Sequence, residues 1–223
     1  MRQAPELRIS PRQSPGLDRV QLSRSKRARK RAFDLVLGGL LVVVLAPVLV
    51  ACALAVHLTG PGPILFRQRR VGRDGEVFHM HKFRSMVLDA EERQPALRAV
   101  GNEADGPLFK IQRDPRVTRV GRVLRAWSLD ELPQLFDVLR GDMSLVGPRP
   151  FVTHEVDLSN PWARIRLRVK PGVTGLWQVA GRHRLSFDDL VRCDLFYIEN
   201  WSLSMDLLIL LRTIPAVLFR SGV

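Results

Sequence analysis

LVLGGLLVVVLAPVLVACALAVHL, Leu35 to Leu58, contains only Gly38, Gly39, Pro47 and His57 that are not plainly apolar. As one straight helix it would be roughly 36 Å long, against roughly 30 Å for a bilayer's hydrocarbon core. The basic cluster Arg24 to Arg31 precedes it directly. A signal peptide has the same order of charge and apolarity, but its apolar part is shorter and starts nearer the N-terminus. The run therefore reads as a membrane-embedded segment.

Two features argue that it does not span. Pro47 lies at its centre, where a proline removes a helix hydrogen bond and clashes with the preceding turn. Basic residues also flank both ends, Arg24 to Arg31 before it and Arg67, Arg69, Arg70 and Arg73 after it. Positive charge favours the cytoplasmic side, and here both ends claim it. Each arm around Pro47 is roughly 18 Å long, too short to cross alone. The expected arrangement is a re-entrant helical hairpin broken at Pro47, with a kinked spanning helix as the competitor, since membrane helices tolerate proline.

Outward from this segment, residues 1–23 carry Pro5, Pro11 and Pro15 among Ser, Gln and Arg, the composition of a flexible basic tail. The first thirty-one residues hold ten basic side chains against Glu6 and Asp18, so they supply +8 of the formal net charge of +13. Such a stretch is attracted to nucleic acid or to anionic lipid alike. The two cysteines, Cys52 and Cys193, form no disulfide framework.

Gly60-Pro61-Gly62-Pro63 turns the chain, which divides it into a tail (1–23), a basic and membrane segment (24–60) and a remaining domain (61–223). In the last, Ile64 to Gln68 and Glu76 to Phe83 read as a β-hairpin around Gly72 to Gly75. Val87 to Val100, Trp127 to Leu139 and Phe187 to Asn200 read as helices. Leu203 to Phe219 includes Asp206, Arg212 and Pro215, so it fits an amphipathic helix in the membrane interface better than a second span. The fold class expected is a small α/β (α+β) domain.

Ser128-Leu129-Asp130-Glu131-Leu132-Pro133 sets two carboxylates side by side before a helix. Ser128 and Glu131 have capping-box spacing, which would make Glu131 structural only. Pro133 favours a helix start after Leu132 instead. An ionised aspartate here can attack phosphorus or ligate a metal, and spacing alone does not choose. Lys82, Arg84, Lys110, Arg113, Arg116, Arg119, Arg122, Arg125, Arg140 and Arg149 surround the pair in sequence, a set suited to phosphate oxygens. Prolines on both sides of Arg149 fix its direction. His57, His79, His81, His154 and His183 show no zinc spacing, although His79 and His81 share a strand face. No Walker loop or dinucleotide fingerprint occurs, and nucleic acid is not expected as a partner.

Four ordered motifs carry a resemblance: Lys82 to Met86, Ser128 to Leu135, Gly141 to Pro150 and Pro171 to Val179. Together they resemble the bacterial sugar transferases, the monotopic polyprenyl-phosphate phosphoglycosyl transferases, from about Arg31 to the C-terminus. The resemblance implies a Mg²⁺-dependent reaction in which Asp130 attacks the sugar-linked phosphate of a UDP-sugar and expels UMP. Polyprenyl phosphate then takes the phosphosugar from the enzyme. Asp130 would be nucleophile and metal neighbour, with Glu131 as proton acceptor or metal-site partner. Lys82, Arg84, Arg125 and Arg149 would bind phosphate or nucleotide. Ala104 to Lys110 resembles the branch that starts exopolysaccharide or O-antigen assembly with a hexose phosphate, in its short form without extra N-terminal spanning helices. Where some members have Ser-Pro at the hairpin break, this chain has Ala46-Pro47. The expected place is the cytoplasmic face of a bacterial inner membrane, among its lipids, with self-association left open. The competing class is a non-catalytic membrane scaffold that binds anionic lipid or nucleic acid.

Overall fold

A computed structural model describes residues 23–101, 111, 114–153, 161–181 and 186–218. The expected tail before Ser23 and the Ala104 to Lys110 segment lie outside those residues, as do Arg113, His154 and His183.

Helix α1 (Arg24–His57) runs as one element through Pro47, and Ser23 caps its start by accepting from the Lys26 amide. By length and composition it could cross a membrane. A β-hairpin follows, β1 (Leu65–Val71) and β2 (Val77–Phe83), antiparallel with Leu65 opposite Phe83 and Val71 opposite Val77. β1 runs on to Val71, closer to the turn than the expected end at Gln68, while β2 starts one residue later than the expected Glu76; Asp74 (φ 58°) and Gly75 (φ 84°) make the reversal within a few residues.

Helices α2 (Ala90–Val100) and α3 (Arg119–Ala126) come next. The expected helix Trp127 to Leu139 is split. Ser128 adopts a left-handed backbone (φ 53°), Leu129–Glu131 form a single 3₁₀ turn, and α4 (Gln134–Arg140) starts after Pro133. This follows from Pro133, which has no amide to donate to a preceding carbonyl.

The chain continues through β3 (Ser144–Val146), α5 (Pro161–Arg166), β4 (Gly172–Thr174), α6 (Leu176–Ala180), α7 (Phe187–Glu199) and α8 (Leu203–Leu218). β3 and β4 pair in parallel, Ser144 with Gly172 and Val146 with Thr174. Among the described residues two two-stranded sheets combine with the helices, which makes the domain α+β.

The larger core joins Met80 of β2, Leu135 and Val138 of α4, Leu145 and Val146 of β3, Leu195 and Ile198 of α7 and Ile209 of α8. Phe33, Leu37, Leu41 and Leu45, from the first arm of α1, pack against it. Beyond Pro47, Leu49, Cys52 and Val56 pack with Phe83 and Leu124 in a second cluster. Both arms therefore lie on the domain, while Val36, Leu40, Val43, Val44, Val50 and Leu54 remain exposed.

Polar contacts fix the first arm. The Arg31 guanidinium donates to the Val138 and Leu139 carbonyls at 2.6 and 2.8 Å, the open end of α4. The Asp34 carboxylate accepts from the Ser144 hydroxyl and the Leu145 amide. Lys30 Nζ donates to Asp206 at 2.8 Å, and Asp206 also accepts from the Tyr197 hydroxyl and the Trp201 indole. Asp206 thus serves the interior of the domain, while Leu207, Leu208, Leu211 and Ile214 of α8 are exposed.

Candidate active site

Lys82, the penultimate residue of β2, meets the 3₁₀ turn: its Nζ donates to Glu131 Oε1 at 2.7 Å. Ser128 makes no side-chain cap bond, so the capping-box alternative for Glu131 fails. The left-handed backbone at Ser128 is the cause, and it leaves Glu131 turned to Lys82.

The turn is held in place from behind. Thr118 caps α3 by accepting from the Gly121 amide, and its own amide donates to the Ser85 carbonyl. A Cβ on Gly121 would stand 1.9 Å from that carbonyl, so only glycine lets α3 approach the end of β2. Leu129 and Leu132, on either side of the carboxylates, pack on the cluster of Val56, Phe83 and Leu124.

Asp130 is 7% exposed. Burial pushes its carboxyl above the ordinary range, and the neighbouring Glu131 carboxylate adds to this. Lys82 and Arg125 pull the other way. Lys82, Arg125, Asp130 and Glu131 therefore form one electrostatic unit. Two cations balance two carboxylates in it, and burial is the main reason that the aspartate ionises less readily than a free one.

The two carboxylates suit Mg²⁺ by type. That ion is commonly held by one or two carboxylates and completed by waters and substrate phosphates. Among the described residues no group of three His, Cys, Asp or Glu side chains forms a metal site by itself.

The other expected binding residues lie elsewhere. Arg84 is buried, and its guanidinium donates to the carbonyls of Pro61 (2.7 Å), Gly60 (3.0 Å) and Val56 (3.3 Å). It ties the end of α1 to the domain, since a helix C-terminus leaves carbonyls without amide partners. In this structure those nitrogens serve main-chain acceptors, and no phosphate-binding geometry is seen at Arg84. Arg149 lies over the Trp177 ring at 5.8 Å, and among the described residues its buried Nε has no hydrogen-bond partner, as is also true of Trp177 Nε1 and Gln178 Oε1. Its loop is clamped by the Gly147 amide to the Thr174 carbonyl and the Gly172 amide to the Pro148 carbonyl, each at 2.9 Å.

Two polar pairs went unnoticed in sequence. Arg116, grouped above with the phosphate binders, pairs with Asp114. Burial raises the Asp114 carboxyl, but the hydrogen bonds and charge of Arg116 outweigh it and hold it below the usual range. The His81 ring meets Asp137 Oδ1 at 2.6 Å, and the His81 amide donates to Oδ2 at 2.9 Å. Burial raises the Asp137 carboxyl. The aspartate-arginine spacing of two residues was visible, but the His81–Asp137 partnership depends on tertiary packing of α4 on β2.

Comparison with known proteins follows the same lines. The family model for bacterial sugar transferase matches residues 25–220. An undecaprenyl-phosphate galactose phosphotransferase of Salmonella typhimurium is 44% identical over 206 residues, covering 89% of this chain and 42% of the relative. A UDP-glucose:undecaprenyl-phosphate glucose-1-phosphate transferase of Caulobacter vibrioides is 46% identical, covering 85% and 70%. The exopolysaccharide production protein ExoY of Sinorhizobium fredii is 42% identical, covering 86% and 87%. The chain thus spans about two fifths of the Salmonella relative and most of ExoY.

Proposed function

The chain belongs to the bacterial sugar transferase family, and we propose that it transfers a hexose 1-phosphate from a UDP-sugar to polyprenyl phosphate, the first membrane step of exopolysaccharide synthesis. The observation that carries this reading is the Asp130–Glu131 turn, with its buried aspartate and the 2.7 Å Lys82–Glu131 contact. It is supported by relatives named as transferases from UDP-glucose or to undecaprenyl phosphate.

In the proposed reaction an Asp130 carboxylate oxygen bonds to the sugar-bearing phosphorus. The bond from that phosphorus to the bridging oxygen breaks, and UMP leaves with the oxygen and its electron pair. A polyprenyl phosphate oxygen then bonds to the same phosphorus, the Asp130–phosphorus bond breaks, and the carboxylate is restored. The products are polyprenyl-diphospho-sugar and UMP. Such covalent catalysis divides one difficult displacement into two easier ones.

Each residue has a distinct task. Burial makes Asp130 poorly solvated, so it loses little water on approaching phosphorus, and Lys82 and Arg125 favour its ionised form. Lys82, directed by Glu131, would stabilise the charge that develops on phosphate oxygens. Asp130 and Glu131 would hold Mg²⁺, which neutralises diphosphate charge when bound. Arg149, on its proline-framed loop, would contact the nucleotide portion.

The same reading puts α1 in the membrane as a re-entrant hairpin bent at Pro47, with α8 lying in the interface, both on the cytoplasmic face of the inner membrane. It is supported by the packing of both arms of α1 on one domain and by the exposed apolar faces of both helices. A soluble nucleotide-sugar and a lipid phosphate can meet only at such a boundary. The test is UMP release by the purified protein from a panel of UDP-sugars with polyprenyl phosphate and Mg²⁺. Release that depends on Asp130 supports the transferase. No release from any donor leaves the scaffold reading in its place.

A further inference from the structure

An open pocket of about 140 Å³ lies between the β1–β2 turn and the end of α4, lined by Gly72, Arg73, Glu76, Phe78, Gly141, Asp142 and Lys170. None of Lys82, Arg125, Asp130 or Glu131 lines it. Gly141 keeps it open. At φ 104° it closes α4, and a Cβ there would stand 3.3 Å from both Lys170 Nζ and a terminal nitrogen of Arg31. Two cations thus both come within 3.3 Å of that position.

They are unequally provided for. Arg31 is occupied by the α4 carbonyls, and Arg73 has Asp74 beside it. Among the described residues Lys170 Nζ makes no hydrogen bond and no ion pair, although the residue is half-buried. Burial holds its ammonium below the ordinary lysine range, and the charges of Arg31 and Arg73 lower it further. Asp34 and Asp142 oppose this without removing it. An anion between Lys170 and Arg73 would relieve the repulsion. Glu76 and Asp142 line the same pocket and would repel a bare anion, so the fitting ligand carries hydrogen-bond donors beside its negative charge.

Depth in the membrane suggests the source. Arg31 precedes Leu35, where the apolar run begins, by about one helical turn, roughly 6 Å. If α1 enters the bilayer there, as the proposed function holds, the pocket lies at headgroup level.

We propose that this pocket binds the headgroup of a phospholipid, its phosphodiester on Lys170 and Arg73 and its hydroxyl or ammonium donors on Glu76 and Asp142. The ligand is structural lipid, separate from the polyprenyl phosphate consumed at Asp130.

The test uses the whole protein in neutral detergent, titrated with short-chain phosphatidylglycerol, phosphatidylethanolamine, phosphatidylcholine or inorganic phosphate, with melting temperature as readout. Phosphatidylglycerol and phosphatidylethanolamine should raise it saturably, and phosphatidylcholine, which lacks donors, should not. Lys170→Gln should weaken the apparent affinity about tenfold, the effect of losing one charge-assisted contact. Lys170→Arg should largely restore it, and both variants should keep wild-type UMP release. A response to inorganic phosphate as strong as that to the lipids would overturn the headgroup assignment. Equal affinities in wild type and Lys170→Gln would overturn the site. Because UMP release is read separately, failure of the transferase reading and failure of the lipid site are distinguishable.

Discussion

Replacing Lys82 by glutamine separates a catalytic cation from a structural one. The Lys82 and Glu131 side chains are 22% and 29% exposed, so solvent screens their 2.7 Å contact. Exposed ion pairs contribute at most about 1 kcal/mol, and partial burial does not lift this pair far above that limit. For a chain of this size about 1 kcal/mol shifts the melting temperature by about 2–4 °C. If Lys82 stabilises developing phosphate charge, its loss should lower kcat/KM by about 10²–10³, as removal of a preorganised donor does. The pH profile gives a second, independent readout. Lys82 lowers the Asp130 carboxyl, so its removal lets burial and Glu131 push that group further up. The acidic limb of kcat/KM should therefore move to higher pH. Rates measured as UMP release across pH, with melting curves alongside, give both numbers. A loss of activity no larger than the stability change, with an unmoved acidic limb, would refute the catalytic role and leave Lys82 a structural partner of Glu131.

Three other perturbations follow from the same geometry. Asp130 is held above its ordinary value of 3.8 when folded, so the native state binds its proton more tightly than the unfolded chain. Stability from this group is present at pH below 3.8 and lost as pH rises through the folded value. Asp130→Asn should thus be inactive yet melt higher than wild type at neutral pH, with the gain disappearing in acid. Arg84→Ala should cost about 2–3 kcal/mol by leaving buried carbonyls at the end of α1 without their donor, read by thermal melting in detergent. Unchanged stability with lost nucleotide affinity would return Arg84 to the substrate site. Pro47→Leu should move tags placed before Arg24 toward the outside of intact cells, because one unbroken apolar helix can span; tags inaccessible as in wild type would deny Pro47 that role.

The hairpin and the terminal helices were legible because each depends on local signals. Alternation and glycine mark the turn at residues 72–75, and Phe187 to Glu199 carries its own capping box, Ser186 with Asp189. The β3–β4 pair was not, since three-residue strands far apart in sequence leave no periodic pattern. In the candidate site, the Asp130–Glu131 pair was evident, and Pro133 correctly argued for a helix starting later. The left-handed Ser128 was not foreseeable, because serine rarely adopts that backbone. Arginine roles were least readable. Arg84, Arg116 and Arg149 are chemically equivalent in sequence, yet one binds helix-end carbonyls, one an aspartate and one a tryptophan face.

The central claim, that Asp130 itself carries the phosphosugar, is tested most directly by mixing purified protein with its UDP-sugar and Mg²⁺ in the absence of polyprenyl phosphate. The account predicts a burst of UMP approaching one per active site, absent in Asp130→Asn. No lipid-independent UMP, with double-reciprocal plots that intersect when both substrates are varied, would contradict it and require direct attack by the lipid phosphate.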